Sequence, residues 1–175
     1  CSAETIFASN TSSLSIAKIA GATKRAGQFV GMHFFNPVHI MKLLEIVTTG
    51  QTSDATLTTV KDVGGKLGKD CIVVKDFPGF ATSRLGVCLG LEAIRMVEQG
   101  VASPADIDKA LELGYAHPMG PLKLTDLVGL DVRLNIADYL HSELKSEVFK
   151  APPLMRDMVK SGKLGKKSGE GFYKY

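Results

Sequence analysis

The sequence predicts an α/β unit followed by an all-α unit. In residues 1–75, short apolar runs typical of buried strands alternate with helical patterns, as in a sheet covered by helices. The segment KDFPGF, residues 75–80, then combines Asp, Pro and Gly in a boundary signal. After it, apolar residues recur at helical spacing over most of the chain. We therefore expect an α/β domain over residues 1–77 and a helical domain over residues 78–175.

Four strands and two helices are expected in the α/β part. The strands are predicted at Ile6–Ser9, Phe29–Phe34, Leu43–Val47 and Cys71–Val74. The loop around Pro37 makes the second and third strands neighbours in a hairpin. One helix follows the small polar residues of the first loop and ends at Gly21. Another begins after Ser53 and runs to about Leu67, before Gly68.

The second part of the chain is predicted to be helical throughout. Helical stretches are expected at Ala81–Gln99, from Ser103 with Pro104 in the first turn, at Leu122–Leu144 and around Leu154–Lys160. A glycine-rich tail, GKLGKKSGEGFYKY, closes the chain. Such tails are often flexible, but Phe172 and Tyr173 indicate that this one packs back onto the domain.

Composition and charge exclude several classes of protein. Hydrophobic residues make up 45% of the chain and charged residues 22%, which is typical of a globular protein. The net charge of +3 suits an anionic small molecule but is too small, and too little clustered, for nucleic acid. The three cysteines lack a CxxC, which favours a reducing compartment. No apolar run approaches the roughly 20 residues of a membrane span, and we expect a cytoplasmic protein.

The apolar stretch VGMHFFNPVHIMKLLEIV, residues 30–47, places His33 and Glu45 at strand positions. Across a hairpin their Cβ atoms would lie about 5 Å apart. A carboxylate that accepts one imidazole N–H leaves the other ring nitrogen able to take a proton from a substrate. A structural His–Glu pair explains the same spacing and is the more common outcome. A metal site that adds His39 is the least favoured interpretation, because the spacing matches no known ligand set.

The segment ASNTSSL, residues 8–14, lies where the first strand ends. In open α/β sheets, ligands bind beyond the carboxyl ends of the strands. Amides and hydroxyls of Asn10–Ser13 are therefore candidates for holding a polar ligand. Helix capping by Thr11 or Ser12 explains the same residues without a ligand, and composition favours neither interpretation.

Five longer segments occur in order along the chain: FASNTSSL, HFFNPVHIMKLLEIV, DFPGFATSRL, HPMGPLKLTDLVGLDV and GKKSGEGFYKY. With these segments, the sequence resembles the L-3-hydroxyacyl-CoA dehydrogenase family, and within it the short bacterial 3-hydroxybutyryl-CoA type. The resemblance implies the end of a Rossmann-type nucleotide-binding domain, followed by a helical domain like the C-terminal domain of 6-phosphogluconate dehydrogenase. It implies NAD-dependent oxidation of the 3-hydroxyl of an (S)-3-hydroxyacyl-CoA, and so favours a catalytic His–Glu pair.

The resemblance also implies roles for residues of the α/β part. His33 corresponds to the histidine that takes the hydroxyl proton, and Glu45 to the carboxylate that orients this histidine and stabilises the imidazolium. Ser12 corresponds to a serine that hydrogen-bonds the substrate oxygen near the nicotinamide, and Asn10 lies in the same cofactor-contacting loop. Asn36 corresponds to an asparagine that lines the site.

Two further site residues are implied in the helical part. Lys167 corresponds to a lysine that reaches NAD. Ser83 stands where many members of the family have asparagine, and its shorter side chain predicts altered substrate affinity rather than lost chemistry. Because members of the family pair through this part, the resemblance implies a homodimer. A non-catalytic helical dimerisation module is the alternative interpretation, and a relative acting on sugar acids is less favoured.

One element of the family pattern is missing from the sequence. No strand, GxGxxG turn and helix of the dinucleotide-binding type occurs in it. The resemblance therefore implies further βαβ units before Cys1, and predicts weak NAD binding by these residues alone. The expected ligands are NAD and an acyl-CoA substrate, with no metal, nucleic acid or membrane partner.

Overall fold

A four-stranded mixed sheet organises the first part of the chain in the computed structural model, which describes residues 1–175. Its strands are β1 (Phe7–Ser9), β2 (Phe29–Phe34), β3 (Leu43–Thr48) and β4 (Asp70–Lys75). They lie side by side in chain order, β1 parallel to β2 and β3 parallel to β4. β2 and β3 form an antiparallel pair. All four predicted strands and the predicted hairpin are confirmed.

The helix α2 (Asp54–Lys66) connects β3 to β4 and has the predicted ends. Its N-terminal cap is Ser53, whose hydroxyl accepts a hydrogen bond from the amide of Thr56. After the helix, Gly68 has a φ of 68°, a left-handed conformation that glycine adopts readily. The crossover therefore starts and stops where the sequence predicts.

The helix α1 (Ile16–Ala20) begins later than its polar neighbours suggest. Its cap is Ser15, whose hydroxyl accepts a hydrogen bond from the amide of Lys18. Of the two interpretations that the sequence left open, helix capping by Thr11 or Ser12 is therefore wrong.

Strand alternation sorts the buried residues of β2 and β3 between two faces of the sheet. On one face, Val30, Met32, Leu44 and Ile46 pack against α2, which contributes Val60. The other face packs a cluster made of Ile16, Ala20, Phe29, Val47 and Phe80. Because successive side chains of a strand point to opposite faces, His33 and Glu45 share the face of this second cluster.

The second part of the chain, Thr82–Tyr175, is a helical unit with its own core. Its helices are α3 (Thr82–Glu98), α4 (Pro104–Gly114), α5 (Pro121–Val128), α6 (Leu130–Leu144) and α7 (Pro153–Lys160). The predicted continuous stretch over Leu122–Leu144 is wrong, because Gly129, with a φ of 104°, separates α5 from α6. None of the helices has the length and apolar composition to cross a membrane.

Two buried carboxylates hold the C-terminal tail against the helices. Asp126 accepts hydrogen bonds from the amides of Phe172 and Tyr173 at 3.0 and 2.9 Å. Asp108 accepts one from the Tyr173 hydroxyl at 2.7 Å. A Cβ added at Gly171 would lie 2.1 Å from Oδ1 of Asp126, so only glycine fits this close approach. The prediction that the tail packs back onto its domain is confirmed.

Candidate active site

The β2–β3 hairpin brings the predicted histidine and glutamate together. His33 lies directly opposite Glu45 in the antiparallel register. Nδ1 of His33 is 2.8 Å from Oε2 of Glu45. The exposed fraction is 5% for His33 and 0% for Glu45. A carboxylate this deeply buried needs hydrogen-bonded or charged partners, and the imidazole is one of them.

A backbone amide holds the other oxygen of Glu45. The N–H of Ala81 donates to Oε1 at 2.9 Å. Because such a donor favours the ionised carboxylate, Glu45 is stabilised as the acceptor in both contacts. The proton shared with His33 then resides on Nδ1, and Nε2 is the acceptor atom of the neutral ring.

Aromatic rings flank the imidazole of His33. The ring centroid of Phe35 is 4.4 Å away at an interplanar angle of 47°, and that of Phe80 is 6.1 Å away at 58°. These rings shield the imidazole from water and restrict its rotation. Nε2 forms no hydrogen bond within the chain. The arrangement is therefore an oriented proton acceptor in a largely apolar setting.

Three predicted polar residues lie on loops that leave the same edge of the sheet. Asn10 and Ser12 follow β1, and Asn36 follows β2; all three are exposed. Because β1 and β2 are parallel, these loops emerge at the edge near which β2 carries His33. The carboxamides of Asn10 and Asn36 form no hydrogen bond within the chain. The sheet thus directs these loops to the edge at which the imidazole lies.

Asp76, directly after β4, fixes the far end of the loop that follows β1. Its carboxylate accepts hydrogen bonds from the Ser15 hydroxyl at 2.9 Å and from the amides of Ile16 and Ala17 at 3.1 and 2.7 Å. Its own amide donates to the carbonyl of Thr48 at 2.8 Å. Asp76 therefore connects the start of α1 to the sheet. The sequence showed this residue only as part of a boundary signal.

The two predicted site residues of the helical unit have separate surroundings. Ser83 lies in the first turn of α3 and is partly exposed. Lys167 lies in a short 3-10 turn of the tail, and its Nζ is 2.5 and 2.7 Å from the two carboxylate oxygens of Asp131. The hydrogen bond from Lys167 lowers the pKa of Asp131 below its usual value. Lys167 is thereby held beside α6.

Sequence reasoning missed the groups that hold the His33–Glu45 pair in place. Ala81 contributes a backbone amide that donates to Glu45, and Phe80, with a φ of 50°, forms the turn before that amide. Neither group leaves a signal in spacing or composition beyond the tetrapeptide PGFA itself. The structure contains no group of three or more His, Cys, Asp and Glu side chains that could hold a metal ion.

Comparison with known proteins defines the class of the chain. The NAD binding domain of 3-hydroxyacyl-CoA dehydrogenase matches residues 1–77. The C-terminal domain of 3-hydroxyacyl-CoA dehydrogenase matches residues 79–175. The chain therefore belongs to the 3-hydroxyacyl-CoA dehydrogenase family, as its motifs predict.

Individual relatives are similar over almost all of these residues. The chain is 49% identical over 172 residues to a probable 3-hydroxybutyryl-CoA dehydrogenase of Deinococcus radiodurans, covering 98% of the chain and 62% of that protein. It is also 49% identical over 172 residues to the mitochondrial hydroxyacyl-coenzyme A dehydrogenase of Homo sapiens, covering 98% of the chain and 55% of that protein. The chain thus spans 55–62% of the length of these curated relatives.

Solved structures agree with this assignment. M. tuberculosis FadB2 superimposes with a TM-score of 0.94 and 47% identity, covering 97% of the chain and 60% of that structure. The (S)-3-hydroxybutyryl-CoA dehydrogenase PaaH1 from Ralstonia eutropha gives 0.93 and 46%, with the same coverage. The predicted fold class, part of a Rossmann-type domain followed by a helical domain, is confirmed.

Proposed function

We propose that the chain carries the proton-transfer site of an enzyme that oxidises the 3-hydroxyl of (S)-3-hydroxyacyl-CoA, such as 3-hydroxybutyryl-CoA, to the 3-ketone with NAD. The observation that carries this proposal is the arrangement around His33. One ring nitrogen is bound to a buried carboxylate, and the other has no partner in the chain. A purely structural pair does not require a second ring nitrogen without a hydrogen-bond partner at a loop-rich edge of a sheet. The names of the relatives, many of them dehydrogenases of this substrate class, support the same reaction.

His33 and Glu45 have different roles in the proposed proton transfer. Nε2 of His33 takes the proton of the substrate 3-hydroxyl as the oxygen becomes a carbonyl oxygen. The ring is then an imidazolium, and the carboxylate of Glu45 stabilises its charge at Nδ1. Because Ala81 fixes the orientation of Glu45, the ring does not have to reorient during transfer. Ser12 and Asn36 are proposed to hydrogen-bond the substrate, and Ser83 to contribute a hydroxyl.

The cofactor expected from the family is NAD, which when bound accepts the hydride from C3 of the substrate. The loop that follows β1 fits a polar dinucleotide, because the carboxamide of Asn10 is exposed and without a partner at the carboxyl end of a strand. Asn10 and Ser12 are proposed to hold its nicotinamide end. Lys167 is proposed to reach the cofactor as well, by exchanging its bond to Asp131.

A second candidate function rests on the helical unit. The helix α3 exposes Leu85 and Leu89, with exposed fractions of 65% and 43%, and Val132 of α6 is 40% exposed. We propose that residues 78–175 form the substrate and dimerisation domain, and that residues 1–77 form part of the nucleotide-binding domain. Size-exclusion chromatography with light scattering tests this: a monomer at all concentrations would contradict dimerisation, whatever the enzymatic result.

The test of the main proposal is an assay of NADH formation with (S)-3-hydroxybutyryl-CoA. It is run on the chain and on a fusion that supplies a GxGxxG nucleotide-binding segment upstream. Substituting His33→Gln is expected to lower kcat by at least about 10²-fold, the usual contribution of a general base. Because glutamine keeps much of the size of the ring without a titratable nitrogen, a fusion that stays fully active with His33→Gln would refute the proposal.

A further inference from the structure

Phe80 combines deep burial with a backbone conformation that bulky residues rarely adopt. Its φ of 50° is in the left-handed region, and its exposed fraction is 5%. The other non-glycine residues with positive φ, Ala116 and Lys145, are both exposed. Gly79, directly before Phe80, also has a positive φ, of 75°. A strained backbone at a buried aromatic residue persists only where its surroundings require it.

The turn around Phe80 places two groups on the His33–Glu45 pair. The amide of Phe80 donates to the carbonyl of Phe77 at 2.8 Å and closes the turn. The next amide, that of Ala81, then points at Oε1 of Glu45 and lies 2.9 Å from it. The ring of Phe80 lies 6.1 Å from that of His33, on the same side of the sheet.

Neither feature alone explains the residue. A glycine at position 80 would adopt the left-handed backbone without strain, but it would leave the imidazole without the ring beside it. A phenylalanine in an ordinary conformation would fill the core, but the amide of residue 81 would turn away from Glu45. Making both contacts together requires an aromatic residue held at positive φ.

We infer that Phe80 is a positioning residue for the proton-transfer pair: its strained turn aims the Ala81 amide at Glu45, and its ring supports the imidazole of His33. The consequence is a fixed tautomer, with the proton on Nδ1 and the acceptor at Nε2. The geometric part of this inference is independent of the reaction. Its meaning for catalysis rests on the function proposed above.

Nuclear magnetic resonance of the 175-residue chain tests the inference without substrate or cofactor. Two signals are recorded: the low-field Nδ1 proton of His33 bonded to Glu45, and the hydrogen-exchange rate of the Ala81 amide. The variants are Phe80→Gly, which relaxes the backbone, and Phe80→Leu, which keeps apolar volume if the glycine variant fails to fold. The matched control is Phe29→Leu, because Phe29 belongs to the same buried cluster and does not contact His33.

In the Phe80 variants we expect loss of the Nδ1 proton signal. In Phe80→Gly we also expect the Ala81 amide to exchange about tenfold faster, because glycine leaves the left-handed conformation as readily as it adopts it. Tenfold is the scale of one lost hydrogen bond to a charged group. The control is expected to keep both signals. Unchanged signals in a folded Phe80 variant would overturn the inference, and so would equal losses in Phe29→Leu, since the effect would then be a general one of core packing. An inactive fusion with intact Phe80 effects would instead refute the proposed function alone.

Discussion

Three carboxylates with no solvent exposure, one in the α/β unit and two in the helical unit, have different partners. Glu45 contacts an imidazole and a backbone amide, whereas Asp108 and Asp126 are held by backbone amides and tyrosine hydroxyls. The carboxylates of both units are thus equally buried, and all of them accept hydrogen bonds. Only Glu45 has an imidazole as a partner, and an imidazole carries a second ring nitrogen that can accept a hydrogen bond.

This difference shows that a buried carboxylate does not by itself mark an active site. The tyrosines bonded to the two aspartates keep their protons over the whole physiological range. Burial of its hydroxyl and the bond to Asp108 raise the pKa of Tyr173, and burial with the charge of Asp126 raises the pKa of Tyr175 to about 12. Asp108 and Asp126 therefore hold the tail, whereas proton transfer at the imidazole bound to Glu45 is the role proposed above.

The sharpest test of the contrast removes one charge in each unit without changing shape. Substituting Glu45→Gln is expected to lower kcat by about 10²-fold, because the imidazolium loses its counter-charge. Substituting Asp108→Asn is expected to leave kcat per folded molecule unchanged but to lower the free energy of unfolding by about 2 kcal/mol. NADH formation by the fusion described above and urea unfolding of the chain measure the two effects. A loss of kcat in both variants would remove the distinction.

A larger loss of stability is expected in the helical unit when Asp126 is truncated. Substituting Asp126→Ala leaves the amides of Phe172 and Tyr173 and the Tyr175 hydroxyl without their acceptor. The expected loss is about 3 kcal/mol in the free energy of unfolding, because buried donors to a charged group are left unpaired. Urea denaturation measures it, and cleavage of the tail by a protease at low concentration should accelerate in parallel. If the variant resists urea and protease as well as the unsubstituted chain does, other contacts hold the tail.

Alkaline pH provides a smaller and selective test. Since the folded state raises the pKa of Tyr175 from 10.0 to about 12, its contribution to stability is complete below pH 10 and declines as the pH rises towards 12. Substituting Tyr175→Phe should therefore flatten part of this decline while costing about 1 kcal/mol at neutral pH. Thermal unfolding at closely spaced pH values measures both. If the stability of the variant falls with rising pH as steeply as that of the unsubstituted chain, other groups cause the decline.

The smallest effect is expected at a partly exposed carboxylate. Asp131 binds Lys167, and the lowered pKa of Asp131 means that the pair contributes stability above its usual value of 3.8 and loses it as the pH falls further. Substituting Asp131→Asn should change the free energy of unfolding by less than about 1 kcal/mol, because solvent screens such pairs. Urea denaturation at pH 7 measures this change. A change as large as that of Asp126→Ala would contradict the division between buried and exposed carboxylates.

The sequence predicted the His33–Glu45 contact because strand pairing is local. Two six-residue strands joined by one connection, each with buried apolar residues at alternate positions, determine the register, and the register places the two residues opposite each other. The ends of α2 were predictable for the same reason, since Ser53 and Gly68 act on their immediate neighbours. Roles assigned to the site residues came from the family motifs rather than from spacing.

Contacts between distant parts of the chain were not predictable in this way. Asp76 caps a helix 60 residues earlier in the sequence, and Ala81 donates to a side chain 36 residues earlier. Gly129 ends α5 because of its φ of 104°, whereas a single glycine in an amphipathic pattern is often tolerated within one helix. Each of these features depends on packing that a local pattern does not record.

The antiparallel pairing of β2 with β3 sets the positions of His33 and Glu45 apart from the connection that joins the two strands. The two reactive side chains are fixed by strand register, while the connection at 35–42 carries exposed apolar residues, among them Val38 and Ile40. Beyond Phe35 and Asn36, changes in that connection are expected to leave His33 opposite Glu45, because the register is set within the two strands. Evolution could therefore vary most of this exposed connection while the imidazole and its carboxylate stay opposite each other.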